Sequence, residues 1–311
     1  MLLPFGGCNI ETFVRGQDPP VQEPVYVTES FTQVPLPKVD LLWIVDNTGS
    51  MAEEQSALAD AFPGFVDTLE DAELGYHLGV VTTDVETDGA GVLQGDPWII
   101  TPAATDPACA FASAVSVGTG GLGTEAGLAA LILALEEPNR SGANRGFRRP
   151  DAALHVVVVS DDDDDSWDAL GADPVLEAIA LLDDEARRTR LPAVFSAVVG
   201  DPGTGCRGAL GDAGPGDAYA RVVEATDGVL ASICSADLSA VAEQLAALSV
   251  HYPARFALSA EPWTDAVRVS VDGDRLDDGW TLERDPPAVV FDAPPAARAG
   301  IEVRYQLEPE P

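Results

Sequence analysis

Val39-Asp40-Leu41-Leu42-Trp43-Ile44-Val45-Asp46-Asn47-Thr48-Gly49-Ser50-Met51 is an apolar run that ends abruptly in oxygen-bearing residues. A strand of this kind, buried on both faces, belongs in a parallel sheet covered by helices. In open α/β sheets ligands bind outside the carboxyl ends of the strands, and Asp46, Thr48 and Ser50 stand there. Their D-x-[S/T]-x-S spacing offers one carboxylate and two hydroxyls from one tight turn, an all-oxygen set suited to a hard cation such as Mg²⁺. The set is short of ligands, so later loops must complete it.

Outward from this stretch, apolar runs at residues 78–81, 154–159, 192–199 and 229–233 read as further strands. Between them lie helical periods. Leu58, Ala61, Phe62, Phe65, Val66 and Leu69 form one, which Pro63 should kink or restart. Leu128, Leu131, Ile132 and Leu135 mark a second, Val175, Ile179 and Leu182 a third, and Leu238, Val241, Leu245 and Leu248 a fourth with Ser235 as N-cap. The fold class expected is α/β, a doubly wound and mostly parallel sheet over residues 39–250. After that the period becomes two: Val267, Val269 and Val271 before Asp272-Gly273, then residues 289–291, then Ile301, Val303 and Tyr305. Residues 251–311 therefore read as a small antiparallel β unit. Residues 9–38, rich in proline, read as an extended tether or edge segment.

Two other loops can serve the first one. Gly123-Thr124-Glu125-Ala126-Gly127-Leu128 opens a helix after a glycine run, and residues 156–159 end in Ser160-Asp161 at the head of an acidic run through Asp165. Strand, D-x-[S/T]-x-S, helix-opening threonine and strand-ending aspartate together resemble the von Willebrand factor A domain with its metal-ion-dependent adhesion site. Gly79-Val80-Val81-Thr82-Thr83-Asp84, Val117-Gly118-Thr119-Gly120-Gly121-Leu122-Gly123-Thr124-Glu125 and the aspartate run make the chain similar to the A-domain lipoproteins of myxobacteria and related groups. The resemblance implies Thr48 and Ser50 as direct hydroxyl ligands, Thr124 as the ligand from the second loop, and Asp46 and Asp161 as carboxylates acting directly or through water. Thr119 is the alternative to Thr124, and Asp162 to Asp161. Thr48 stands where serine is commoner, keeping the hydroxyl and adding a methyl.

The resemblance also implies Mg²⁺, or Mn²⁺ or Ca²⁺, at this site, with a second Ca²⁺ near Asp162, Asp163, Asp164 and Asp165 as a further expectation. In this family such sites bind rather than catalyse, because an ion held by hydroxyls and waters stays electrophilic and accepts a partner's carboxylate. The expected partner is another protein or surface macromolecule offering that carboxylate, and the chain is not expected to be an enzyme. A metal-dependent hydrolase using the aspartate run, or a scaffold with a vestigial site, are the rival readings. Gly118-x-Gly120-x-x-Gly123 matches a dinucleotide fingerprint, but no acidic residue follows at the ribose position.

Composition narrows the partners. There are 52 acidic and 17 basic side chains, a formal charge of −35, and Lys38 is the only lysine. This excludes binding of nucleic acid by phosphate neutralisation. With 46% hydrophobic and 22% charged residues, the chain can still build a core. Met1-Leu2-Leu3-Pro4-Phe5-Gly6-Gly7-Cys8-Asn9 resembles the end of a bacterial lipoprotein signal, with residues 1–8 as its remnant, although a basic start and an apolar stretch are missing. Membrane contact is expected only through lipid on Cys8, with the protein in the periplasm, at the outer membrane or on the cell surface. Cys206 and Cys234 flank loops that one disulfide could close, leaving Cys109 free. Without a C-x-x-C pair, tetrathiolate zinc is not expected.

Overall fold

The computed structural model describes residues 24–308, so Cys8 lies outside the described residues. The chain divides into two units, one of residues 34–253 and a smaller one made of the chain on either side. Strand β1 (Tyr26–Thr32) belongs to the smaller unit.

The larger unit runs β2 (Lys38–Val45), a single 3-10 turn (Gly49–Met51), α1 (Ala52–Asp71), β3 (Gly75–Thr82), α2 (Pro107–Val115), α3 (Gly127–Leu135), β4 (Ala153–Val159), α4 (Trp167–Leu170), α5 (Pro174–Thr189), β5 (Ala193–Val199), the short pair β6 (Cys206–Arg207) and β7 (Asp212–Ala213), α6 (Asp217–Thr226), β8 (Leu230–Ser232) and α7 (Leu238–Ser249). A five-stranded sheet in the order β3-β2-β4-β5-β8, parallel throughout, forms its centre. The α/β class expected from the sequence is the class observed. From β2 the chain steps first to one side and then to the other, so the strand order reverses at β2 and β4. The crevice beyond their carboxyl ends is where such sheets bind ligands.

Alternation along β2 divides the core in two. Leu41, Trp43 and Val45 join Phe65 of α1, Phe111 of α2 and Leu245 of α7, while Leu42 and Ile44 join Leu131 of α3, Leu182 of α5 and Tyr219 of α6. Trp43 meets the rings of Phe65 and Phe111 at 5.3 Å each, the edge-on geometry that aromatic quadrupoles favour. Two local expectations need correction. Pro63 lies inside α1 without dividing it, because Leu58, Phe65 and Leu69 keep their stripe buried in the core on either side of it. The cap of α7 is Asp237, whose carboxylate accepts from Ser239 N and Ala240 N, and not Ser235. A carboxylate at that position also meets the positive end of the helix dipole.

The amino ends of the strands hold the cations. Asp40, fully buried, accepts from Arg148 Nη1 (2.9 Å) and Arg149 Nε (2.7 Å), while buried Glu185 accepts from Arg148 Nε (2.7 Å) and Arg140 Nη1 (2.7 Å). A buried charge is tolerated only with partners of this kind.

In the smaller unit, β9 (Arg255–Ala257), β10 (Arg268–Val271), β11 (Asp274–Leu276), β12 (Trp280–Arg284), β13 (Pro287–Phe291) and β14 (Gly300–Gln306) complete two antiparallel sheets, β1-β14-β10-β11 and β12-β13-β9. Val269, Val289, Phe291, Ile301, Val303 and Tyr305 form its core. Of residues 9–38, read as an extended tether or edge segment, residues 26–32 form an edge strand in which Val27 and Phe31 pack onto that core. Among the described residues no helix is long and apolar enough to cross a membrane.

Candidate metal centre

Asp46 leaves the last residue of β2 fully buried, and both its oxygens accept hydrogen bonds, Oδ1 from Thr48 N (2.8 Å) and Oδ2 from Ser160 Oγ (2.7 Å). The first closes the turn that carries Thr48 and Ser50, whose hydroxyl oxygens stand 3.4 Å apart. The second ties that turn to the loop after β4. Ser50 donates its hydroxyl to the Asp161 carboxylate, so Asp46, Thr48, Ser50 and Asp161 converge from two loops at the reversal of strand order.

Gln55, on the first turns of α1, brings in the glycine loop. Its Nε2 donates to Asp46 O (2.8 Å) and Gly118 O (2.9 Å), and its Oε1 accepts from Gly118 N (3.1 Å). Gly121 lies against Asn47 so closely that a Cβ there would stand 2.5 Å from Asn47 Oδ1. Only glycine permits this approach.

In the second loop the structure separates two neighbours. Thr124 Oγ1 donates to Glu86 Oε1 (2.6 Å), and Thr119 is exposed on the glycine run. Glu125 is the residue whose carboxylate feels Asp46, Asp162 and Asp161: burial and then this repulsion push its pKa up to about 7. Sequence reasoning passed over Glu125, and over Gln55. The signal available for Glu125 was its place one residue nearer the helix start, where an acidic side chain is favoured by the dipole.

The acidic run divides its labour. Asp163 Oδ1 accepts from Ala218 N (2.9 Å) at the start of α6, and Asp164 Oδ1 from Leu128 N (2.8 Å) at the start of α3. Asp164 also accepts from Ser166 Oγ (2.7 Å) and N (3.1 Å). Of the four carboxylates near which a second calcium is expected, two meet helix starts, Asp163 through Oδ1 and Asp164 through Oδ1, with Asp164 Oδ2 held by Ser166 N. Burial raises the pKa of Asp164 even so.

Does the remaining set fit a cation? Asp161 Oδ1 is buried and has no hydrogen-bond partner among the described residues, and the same holds for Glu54 Oε2. Burial and neighbouring carboxylates raise the pKa of Asp161, Asp162 and Glu54. Among the described residues no basic side chain ion-pairs with any of these groups or with Glu125. Buried anions such as Asp161 and Glu54 need a counter-ion, a proton or a metal. Among the described residues no three His, Cys, Asp or Glu side chains form a ready cage. Hydroxyls make up the rest of the donor set, as a hard cation that keeps some water requires.

The glycine-rich loop between β5 and α6 is tied to the segment after β8 by the Cys206–Cys234 disulfide, and Cys109 is free and exposed, as the sequence suggests. Such a bridge suits an oxidising compartment.

No protein-family model matches the sequence, and no curated protein matches it. Among solved structures the chain is similar to the pilus adhesin SpaC from Lactobacillus rhamnosus GG, with 13% identity, 90% of this chain and 41% of that chain covered, and a TM-score of 0.44. It is also similar to proximal thread matrix protein 1 from the mussel byssus, with 15% identity, coverage of 73% and 51%, and a TM-score of 0.43. A further structure of that mussel protein, described with a zinc-occupied MIDAS motif, gives 14%, 72% and 48%, and a TM-score of 0.44. The chain spans about half or less of the length of these proteins.

Proposed function

We propose that the larger unit is a binding module of the von Willebrand factor A type, which uses a divalent cation to recognise a carboxylate on another protein or surface macromolecule, and that it catalyses nothing. The observation that carries this reading is Asp161 Oδ1, buried, without a hydrogen-bond partner and beside Asp46 and Glu125, with no basic side chain ion-paired to them among the described residues. Asp161, Glu125, Thr48 and Ser50 would hold the ion, Mg²⁺ in the first instance and Mn²⁺ or Ca²⁺ as alternatives, and Asp46 would reach it through water because both its oxygens are engaged. Once bound, the ion supplies an electrophilic position open to an oxygen of the partner's carboxylate.

The chain's own residues orient this set. Ser160 fixes the Asp46 carboxylate, Gln55 fixes the glycine loop, and Ser50 fixes Asp161. Binding rather than turnover is the reading because, among the described residues, the one histidine that contacts serine hydroxyls is closed off from solvent. The serine–histidine contact of His155 with Ser196 (2.8 Å) and Ser249 (2.7 Å) is fully buried between β4, β5 and α7. The disulfide supports an extracytoplasmic site, and lipid on Cys8 would hold the protein at the periplasmic or outer surface of a bacterial envelope.

Water-proton relaxation of the Mn²⁺-loaded protein tests the reading. An aspartate-containing peptide should displace metal-bound water and lower the relaxivity, while its asparagine counterpart should not. Equal responses to both peptides would contradict carboxylate recognition.

A further inference from the structure

The four-stranded sheet of the smaller unit turns one face to solvent, and its register sets arginines side by side. Thr28 pairs with Arg304, and Arg304 with Arg268. Like charges directly opposite on adjacent strands are unfavourable alone. Neither arginine has an ion-pair partner among the described residues, and Arg304 lies over the Tyr26 ring, 4.9 Å from its centroid. With Ala266 these side chains line a concavity of about 200 Å³. A neighbouring one of about 330 Å³ adds Arg275 and Glu302. Among the other acidic side chains nearby, Glu261 and Asp265 pair with Arg284 and Asp277 with Arg275, while Glu308, next to Leu307, is exposed and has no ion-pair partner among the described residues.

Apolar surface gathers at the same end of this sheet. Val25, Tyr26 and Trp263 are 56%, 51% and 50% exposed. Trp263 N donates to Gln306 O (2.9 Å), Gln306 pairs with Tyr26, and Leu307 N donates to Val25 O (2.9 Å). Tryptophan and tyrosine beside arginine form the composition that rests at a membrane–water boundary, rings in the headgroup layer and guanidinium on phosphate. The chain also enters the unit here, since the sequence before Val25 leads back to Cys8.

We propose that this end of the smaller unit docks on the phosphate layer of an anionic lipid surface, with Arg268 and Arg304 on headgroup phosphates and Trp263, Tyr26 and Val25 at the interface. Net charge does not forbid it. At physiological salt the field fades within about 8 Å, so the charges at the contact decide, where the unpaired Arg268 and Arg304 stand with Glu302 and Glu308. The inference is independent of the metal site.

The test is sedimentation of the full chain, without lipid on Cys8, with phosphatidylcholine vesicles that contain or lack phosphatidylglycerol. Binding should require the anionic lipid. It should weaken about twentyfold or more in the Arg268→Gln/Arg304→Gln variant, roughly fivefold for each arginine. The Arg268→Lys/Arg304→Lys variant should recover most of it, and Trp263→Ser should weaken it with the arginines intact. Wild type that stays in solution, or a glutamine variant that binds as wild type does, would overturn the proposal. Full release by inorganic phosphate would also overturn it, assigning the arginines to a soluble oxyanion.

Discussion

Ser160 donates its hydroxyl to Asp46 Oδ2 across 2.7 Å, and both residues are fully buried. This bond joins the carboxyl ends of β2 and β4, the two strands between which the sheet reverses its order. It fixes the orientation of a carboxylate that no basic side chain holds among the described residues.

Replacing Ser160 with alanine should therefore act through Asp46. The buried oxygen loses its donor, at a cost to stability of about 1–3 kcal/mol, and the affinity for Mg²⁺ should fall about tenfold or more, as when a group that orients a ligand is removed. Ser160→Thr should retain most of the affinity. Calorimetric titration of both variants checks this, and an unchanged Mg²⁺ affinity in Ser160→Ala would show that Asp46 is oriented without the bond.

The first and third loops were legible in the sequence because each is the polar end of an unbroken apolar strand. Asp46 and Asp161 are placed by the end of Val45 and Val159, and the strand period leaves little freedom. The second loop was not legible to the residue. Thr124 and Glu125 are both oxygen-bearing, they are adjacent, and only the backbone course of the glycine run decides which faces Asp46. In the aspartate run five like residues look interchangeable in the sequence, yet Asp163 and Asp164 meet helix starts from distant parts of the chain. β1 was legible only as an extended or edge segment, because prolines flank it and Val27 and Phe31 alone carry the alternation. α2 and α6 are short helices, of 9 and 10 residues, whose apolar stripes are filled largely by alanine and valine.

The choice within the second loop is itself a prediction. Glu125→Gln should weaken divalent binding about tenfold or more, since it removes a charge that burial and neighbouring carboxylates already strain. Thr124→Val should change it far less, because that hydroxyl is spent on Glu86. Titrations of Mn²⁺ into the two variants decide between them. The opposite order would return the second-loop ligand to Thr124.

His155 makes the larger unit sensitive to acid. Val229 N donates to Ser196 Oγ (3.0 Å) and Ser249 donates to Leu245 O (2.9 Å), so Ser196 gives its proton to Nε2 while Nδ1–H donates to Ser249. The ring is held neutral, and burial, helped by His251, pushes its pKa down to about 3. An unfolded chain takes up this proton near pH 6.5 and the folded one does not until about pH 3, so protons favour unfolding between the two. Stability contributed by His155 is complete above about pH 6.5 and falls as the pH is lowered. From about pH 7.5 to about pH 4.5 the loss should be smaller in His155→Gln than in wild type by about 2–3 kcal/mol. Urea unfolding at the two pH values measures it, and the comparison within each protein is unaffected by a lower baseline in the variant. Equal losses would show that His155 is protonated in the folded state.

The claim on which the account rests is that the three loops hold a divalent cation. Calorimetric titration of Mg²⁺, Mn²⁺ and Ca²⁺ into chelator-treated wild type and Asp46→Ala, in enough salt to screen diffuse binding by a chain of charge −35, tests it most directly. The account predicts saturable binding in wild type that is lost in Asp46→Ala while the fold remains. The same heats in both proteins would contradict it, placing the metal elsewhere or nowhere.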